Sequence, residues 1–179
     1  MNKAVFLDRD GVLNELVNRD GGRYSPRLIS DFQLFPYVPR AVQLIREAGY
    51  LAIVVTNQPD ISRGFLKPEV LDEMHQILRS HCQVDAIYVC PHDDFDACCC
   101  RKPQPGMLLS AATKFNIDFS KSWMIGDRQS DIDAAIAANV APVFIASGQD
   151  SENHVGSVSS SLSSFSTLID AVQEITQAE

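Results

Sequence analysis

Two acids two residues apart, Asp8 and Asp10, close the apolar run Ala4–Leu7 and are followed at once by Gly11. Carboxylates so placed can bind a hard cation, attack an electrophile or pass a proton. Three further polar groups stand where apolar runs stop. Thr56-Asn57 follows Leu51–Val55, Lys102 lies in a loop beyond Ala86–Val89, and Gly126-Asp127 follows Ser122–Ile125. If these ends converge, several carboxylates face one ammonium. Such a cluster stays ionised only with compensating charge. A hard divalent cation that keeps some of its waters, Mg²⁺, supplies it economically. Lys102 adds a point charge suited to phosphate. Taken alone, Asp8 to Gly11 is equally an Asp-Gly turn after a core strand. Asp131, four residues past Asp127 at a helix start, serves either as a cap or as support for the metal.

A second constellation is Cys90-Pro91-His92 with Cys98-Cys99-Cys100. Thiolates and an imidazole at this spacing suit a closed tetrahedral zinc site of the Cys₃His type. Cys98 and Cys100 have the Cys-x-Cys spacing that complements Cys90-x-His92, which leaves Cys99 spare. Free cytosolic thiols, or a chance cluster, are the alternative. Four protein ligands leave no open position, so the zinc expected here is structural. Arg101 and Lys102 follow the last ligand directly, and a fixed loop would hold both cations over a crevice.

The elements that must position these groups are legible from periodicity. Ala4–Leu7, Leu51–Val55, Ala86–Val89, Ser122–Ile125 and Pro142–Ile145 read as buried strands. Pro39–Ala48 (stopped by Gly49), Pro68–Ser80, a stretch from Met107 to about Phe115, and Ser130–Asn139 read as helices. Alternation of the two predicts an α/β fold with a doubly wound parallel sheet, whose strand carboxyl ends share one edge. Strand alternation would turn Asp8 and Asp10 one way and Arg9 the other. Glu15 to Asp31, with Asp20-Gly21-Gly22, reads as a loop leaving the Asp8/Asp10 site. The Ser-rich tail reads as loop until Thr167, before a last helix from Leu168. His75 and His81 read as surface or helix-end residues, Cys82 as a small packing residue, and His154 as without a partner. Arg63 is either a solvated charge or a substrate contact.

The 179 residues fit one domain, 1–179, with the zinc loop at about 90–103 and no insert long enough for a separate lid. No apolar run approaches the ~18 residues of a membrane span. A net charge of −8 argues against nucleic acid or a membrane as partner. Five cysteines without a secretory pattern point to a reducing compartment, the cytoplasm. A monomer is expected.

Asp8-Arg9-Asp10-Gly11-Val12, Thr56-Asn57, Lys102 and Gly126-Asp127 with Asp131, in that order, resemble the four motifs of the haloacid dehalogenase superfamily of phosphatases. The resemblance implies Asp8 as nucleophile, forming an aspartyl-phosphate, and Asp10 as general acid and then general base. It implies Mg²⁺ on the Asp8 carboxylate, the Asp10 carbonyl and Asp127, with Thr56 and Lys102 on the transferring phosphoryl oxygens. With Asn14, the Cys90 to Pro103 loop is similar to the heptose 1,7-bisphosphate phosphatases and the related histidinol-phosphate phosphatases. That likeness implies a small phosphorylated substrate, foremost a sugar bisphosphate cut at its 7-phosphate, with Asn57, Gln58, Arg101 and Arg128 in contact with it. Three features depart from the family pattern. Pro59-Asp60 replaces a small Ser-Gly, Arg128 replaces a Lys, and Asn18–Tyr24 does not align cleanly with the substrate segment. A nucleic-acid 3′-phosphatase and a non-catalytic zinc-stabilised binding module are the outlying alternatives.

Overall fold

The computed structural model describes residues 1–146 and 163–177. Its frame is a six-stranded sheet of β1 (Lys3–Leu7), β4 (Tyr50–Asn57), β5 (Ala86–Cys90), β6 (Trp123–Gly126), β7 (Ala141–Ile145) and β8 (Ser164–Phe165). The spatial order is β5-β4-β1-β6-β7-β8, and every neighbouring pair is parallel. Parallel strands need crossovers, and the helices supply them. α1 (Val38–Glu47) and α2 (Pro68–His81) flank β4, while α3 (Gly106–Phe115) and α4 (Gln129–Ala138) flank β6. α5 (Leu168–Gln177) closes the described chain.

Two apolar layers sandwich the sheet because side chains alternate along each strand. Val5, Leu7, Val54 and Ile125 face α1, α2 and α5. Ala4, Phe6, Ile53, Val55 and Met124 face α3 and α4. Phe6 is wholly buried, so its truncation to Ala would cost roughly 3–5 kcal/mol. Gly49, at φ 80°, ends α1 in the left-handed conformation that glycine adopts without strain.

Two expectations need correction. Glu15 to Asp31 is not all loop, because β2 (Val17–Arg19) and β3 (Gly22–Tyr24) form an antiparallel hairpin across Asp20-Gly21. Both residues of that tip have positive φ, the requirement of a tight hairpin turn. The segment before α5 also contains β8, which adds a sixth strand at the sheet edge. The rest of the Ser-rich tail, with His154, lies outside the described residues. Among the described residues no helix is long and apolar enough to cross a membrane.

Candidate active site

β1 is flanked by β4 and β6, so three polar strand ends arrive side by side. Asp8 continues the ladder for one more residue, its N–H donating to the Ile125 carbonyl at 2.9 Å. The backbone then folds tightly, with Leu13 and Asn14 N–H groups on the Arg9 carbonyl and Gly11 N–H on Asn14. Gly11 sits at φ 93°, and a Cβ there would lie 2.1 Å from Asp127 Oδ2. The turn after β1 and the residue after β6 therefore meet across a glycine, where any added side chain would have to displace the Asp127 carboxylate.

Asp8, Asp127 and Asp131 bring their carboxylate oxygens within 4.8 Å of one another. Lys102 Nζ donates to Asp8 Oδ1 at 2.7 Å and to the Val55 carbonyl at 2.8 Å, and pairs with Asp131 Oδ1 at 2.6 Å. Three carboxylates against one ammonium leave an excess of negative charge. Burial, incompletely offset by Lys102 and reinforced by Asp131 and Asp10, pushes Asp8 up to about 6. Burial, then Asp8 and Asp131, hold Asp127 well above the carboxylate range. Asp127 Oδ1 is buried without a hydrogen-bond partner. A buried, unpartnered carboxylate oxygen beside two more acids is a donor set short of one hard cation, so the residues fit a Mg²⁺ ion. Lys102 remains charged, because Asp131 and Asp8 outweigh the burial that acts against it. Asp131 fills the first of the two roles expected of it, the cap, and pairs with Lys102 as well. Its Oδ2 accepts from the Arg128 N–H at the start of α4, and its Oδ1 faces Lys102.

Asp10 is held differently. Its carboxylate accepts from Arg9 Nε and Nη2, from Asn14 Nδ2 at 2.9 Å and from Gln58 Nε2 at 2.7 Å. Burial alone would raise its pKa, but Arg9 and these hydrogen bonds together bring it below the usual value. Arg9 does not point away from its neighbour as strand alternation suggests. Both residues lie past the end of β1, and the guanidinium folds back on Asp10, wholly buried.

The other expected site residues are placed as follows. Thr56 is buried, its hydroxyl accepting from Gln58 Nε2 at 2.8 Å. Gln58 is also buried, so its amide N–H groups serve Asp10 and Thr56. The Asn57 side chain exchanges two 3.0 Å hydrogen bonds with the Lys102 backbone. Arg101 pairs with Asp94 at 2.6 Å, and Arg128 lines the same cavity. That cavity, about 450 Å³, has Asp8, Asp10, Lys102 and Asp131 on its floor, and Arg23, Tyr24, Arg63, Arg101 and Arg128 around it. Arg63 makes two 2.6 Å bonds to Asp93. Asp60, the departure after the second motif, is met by Arg27 Nε at 2.6 Å, so its charge is locally balanced.

Cys90 Sγ, His92 Nδ1, Cys98 Sγ and Cys100 Sγ form a tetrad that could hold one metal ion. Neighbouring donors are 3.2–3.6 Å apart. Cys99 is exposed and outside the tetrad. Cys82 is buried in the core as a packing residue, and His81 is exposed at the end of α2. His75 is a correction. It is buried, with Nε2 3.3 Å from Arg9 Nη1. Its position between Met74 and Leu78 on the inner face of α2 was the available signal, but its partner lies 66 residues away.

A profile described as HAD-hydrolase-like matches residues 99–166. A D-glycero-beta-D-manno-heptose-1,7-bisphosphate 7-phosphatase of Neisseria meningitidis is 32% identical over 98% of this chain and 95% of its own. The enzyme of that name from Escherichia coli K12 is 34% identical over 97% of each chain. This chain belongs to that family. A solved structure, D,D-heptose 1.7-bisphosphate phosphatase from B. bronchiseptica complexed with magnesium and phosphate, superposes with a TM-score of 0.87 at 28% identity, covering 99% of each chain. The parallel sheet and the hydrolase class thus belong together in one phosphatase fold.

Proposed function

We propose that this chain is a Mg²⁺-dependent phosphatase that removes the 7-phosphate of D-glycero-D-manno-heptose 1,7-bisphosphate through an aspartyl-phosphate on Asp8. The observation that carries the reading is Asp8 itself, held between Lys102 and the Asp127/Asp131 pair on the floor of an arginine-rimmed cavity. When bound, Mg²⁺ supplies positive charge to the carboxylates and the phosphoryl oxygens. Asp8, the Asp10 carbonyl and Asp127 are the residues that would hold it.

Asp8 attacks phosphorus and the P–O bond to the sugar breaks, with Lys102 and Thr56 beside the phosphoryl oxygens as negative charge spreads over them. Asp10 gives its proton to the departing sugar oxygen, then takes one from the water that opens the acyl phosphate. Its hydrogen-bond donors favour the anion in the free protein. An arriving phosphate dianion raises its proton affinity, which prepares it for the acid step. Asn57, Gln58, Arg101 and Arg128 line the cavity and serve the substrate directly or by fixing its neighbours. A second phosphate on the same sugar is matched by the guanidinium groups at the rim.

Zn²⁺ in the Cys90, His92, Cys98 and Cys100 tetrad would act structurally, holding the loop that carries Arg101 and Lys102. The deciding experiment is steady-state kinetics against heptose 1,7-bisphosphate, histidinol phosphate and a 3′-phosphorylated oligonucleotide, each with Mg²⁺ and with chelator. A kcat/KM highest for the heptose bisphosphate and dependent on Mg²⁺ is expected. Preference for either of the others assigns the site to that substrate instead.

A further inference from the structure

α2 turns an apolar stripe toward the sheet, with Leu71, Met74 and Leu78 in the core. His75 lies in that stripe and is buried with them. A leucine at this position would spare the cost of desolvating an imidazole, so the histidine has another reason to be there. Across from it is Arg9, among the described residues the largest side chain that is fully buried. A guanidinium has donors only, so His75 Nε2, 3.3 Å from Nη1, is the acceptor and the ring proton sits on Nδ1. The rest of the Arg9 fork goes to Asp10, with bonds of 2.8–3.0 Å from Nε and Nη2. Phe32 lies against the guanidinium, 5.4 Å from ring centroid to Cζ. Arg9 and Asp10 from the first motif and Arg79 from α2 itself are the charged groups acting on the imidazole. Burial and Arg9 keep it neutral, with a pKa pushed down to about 4.

We propose that His75 is a positioning residue for Asp10. By occupying the corner of Arg9 that Asp10 leaves free, it fixes the plane in which the guanidinium holds the carboxylate. Without that anchor the fork tilts inside its pocket and takes Asp10 out of line with the leaving oxygen. Such a shift affects proton delivery and leaves phosphate binding in place. The inference rests on the phosphatase reading above and adds a residue on a helix that touches neither metal nor substrate.

The test compares two substrates whose leaving groups differ in their need for a proton. A sugar phosphate leaves as an alkoxide unless it is protonated, whereas p-nitrophenolate leaves unaided. The wild-type protein is the control. If it hydrolyses neither ester in Mg²⁺, the phosphatase reading itself fails. If it turns over both, His75→Leu should lower kcat/KM for the sugar phosphate about tenfold, a part of the roughly 10²–10⁴ that general acid catalysis contributes. For p-nitrophenyl phosphate the same variant should lose less than about threefold, and the Mg²⁺ concentration for half-activation should not move. His75→Gln, whose amide oxygen can accept from Arg9, should recover most of the loss. Equal losses on both esters, no loss on either, or a Gln variant no better than the Leu variant would overturn the proposal. Should His75→Leu fail to fold, His75→Met is the non-accepting variant, and the same ratio of the two esters decides.

Discussion

Lys102 Nζ stands 2.7 Å from Asp8 Oδ1, and 94 positions of sequence separate the two residues. The ammonium is almost wholly buried and shared between Asp8 and Asp131. A buried charge pair contributes little net stability, but removing one partner leaves the other uncompensated, at a cost of roughly 3–5 kcal/mol. Lys102 is therefore expected to matter for folding as well as for phosphate. That makes Asp8 the cleaner position at which to test the chemistry.

Asp8→Asn keeps the size of the side chain and an oxygen for Lys102 but removes the nucleophile. Phosphate release should fall by at least roughly 10³-fold, the scale seen when a covalent nucleophile is lost. Continuous phosphate detection with Mg²⁺ saturating checks it. Activity within about tenfold of wild type would show that another group attacks phosphorus.

Mg²⁺ should stabilise the protein more at about pH 7.5 than at about pH 5, because protons compete for the same carboxylates. Asp8 is raised in the folded state from 3.8 to about 6. In the metal-free protein its contribution is full below its unfolded pKa and is lost as pH rises through about 6. His75 works in the opposite sense. Lowered from 6.5 to about 4, it contributes stability above its unfolded pKa and loses it as pH falls toward 4. The readout is therefore the difference between melting temperatures with and without Mg²⁺ at each pH, in which the His75 contribution cancels. Equal differences at the two pH values would contradict the assignment of the cation to these acids.

Gly11→Ala should weaken Mg²⁺ binding by about tenfold or more, the equivalent of about 1.4 kcal/mol. The added methyl group meets Asp127 Oδ2 at 2.1 Å, and φ 93° is itself unfavourable for alanine. Calorimetric titration of Mg²⁺ into both proteins checks it. An unchanged affinity would place the ion away from Asp127.

Cys90→Ser, Cys98→Ser and Cys100→Ser should each lower bound zinc well below one equivalent, while Cys99→Ser leaves it near one. The first three remove a donor from the tetrad, and Cys99 is outside it. Metal analysis of the purified proteins decides. Zinc lost from Cys99→Ser and kept in Cys98→Ser would exchange the roles of the two thiols.

The strand-end chemistry was legible because a parallel sheet gathers carboxyl ends by topology. Asp8, Thr56 and Asp127 needed only the recognition of three apolar runs. The start of α2 at Pro68, and the limits of α1 to within a residue or two of Pro39 and Gly49, followed from the backbone preferences of those residues. The β2–β3 hairpin was not legible, since strands of three residues give no alternation to read. Asp20-Gly21 was its one clear mark. The surroundings of Asp10 were hidden for another reason. Arg9, Asn14, Gln58 and His75 meet only after the chain turns back on itself, and a polar residue inside an apolar helical stripe does not name its partner.

Asn57 and the Lys102 backbone exchange their two hydrogen bonds without any help from a metal. The loop bearing the ammonium is thus fastened by an amide at the tip of β4, and a zinc ion in the tetrad of thiols and imidazole would fasten it at a second point. A chain without zinc would keep the amide fastening. Scarcity of that metal should therefore dim catalysis by degrees, with a residual turnover whose size measures how much of the loop's order the amide sustains alone.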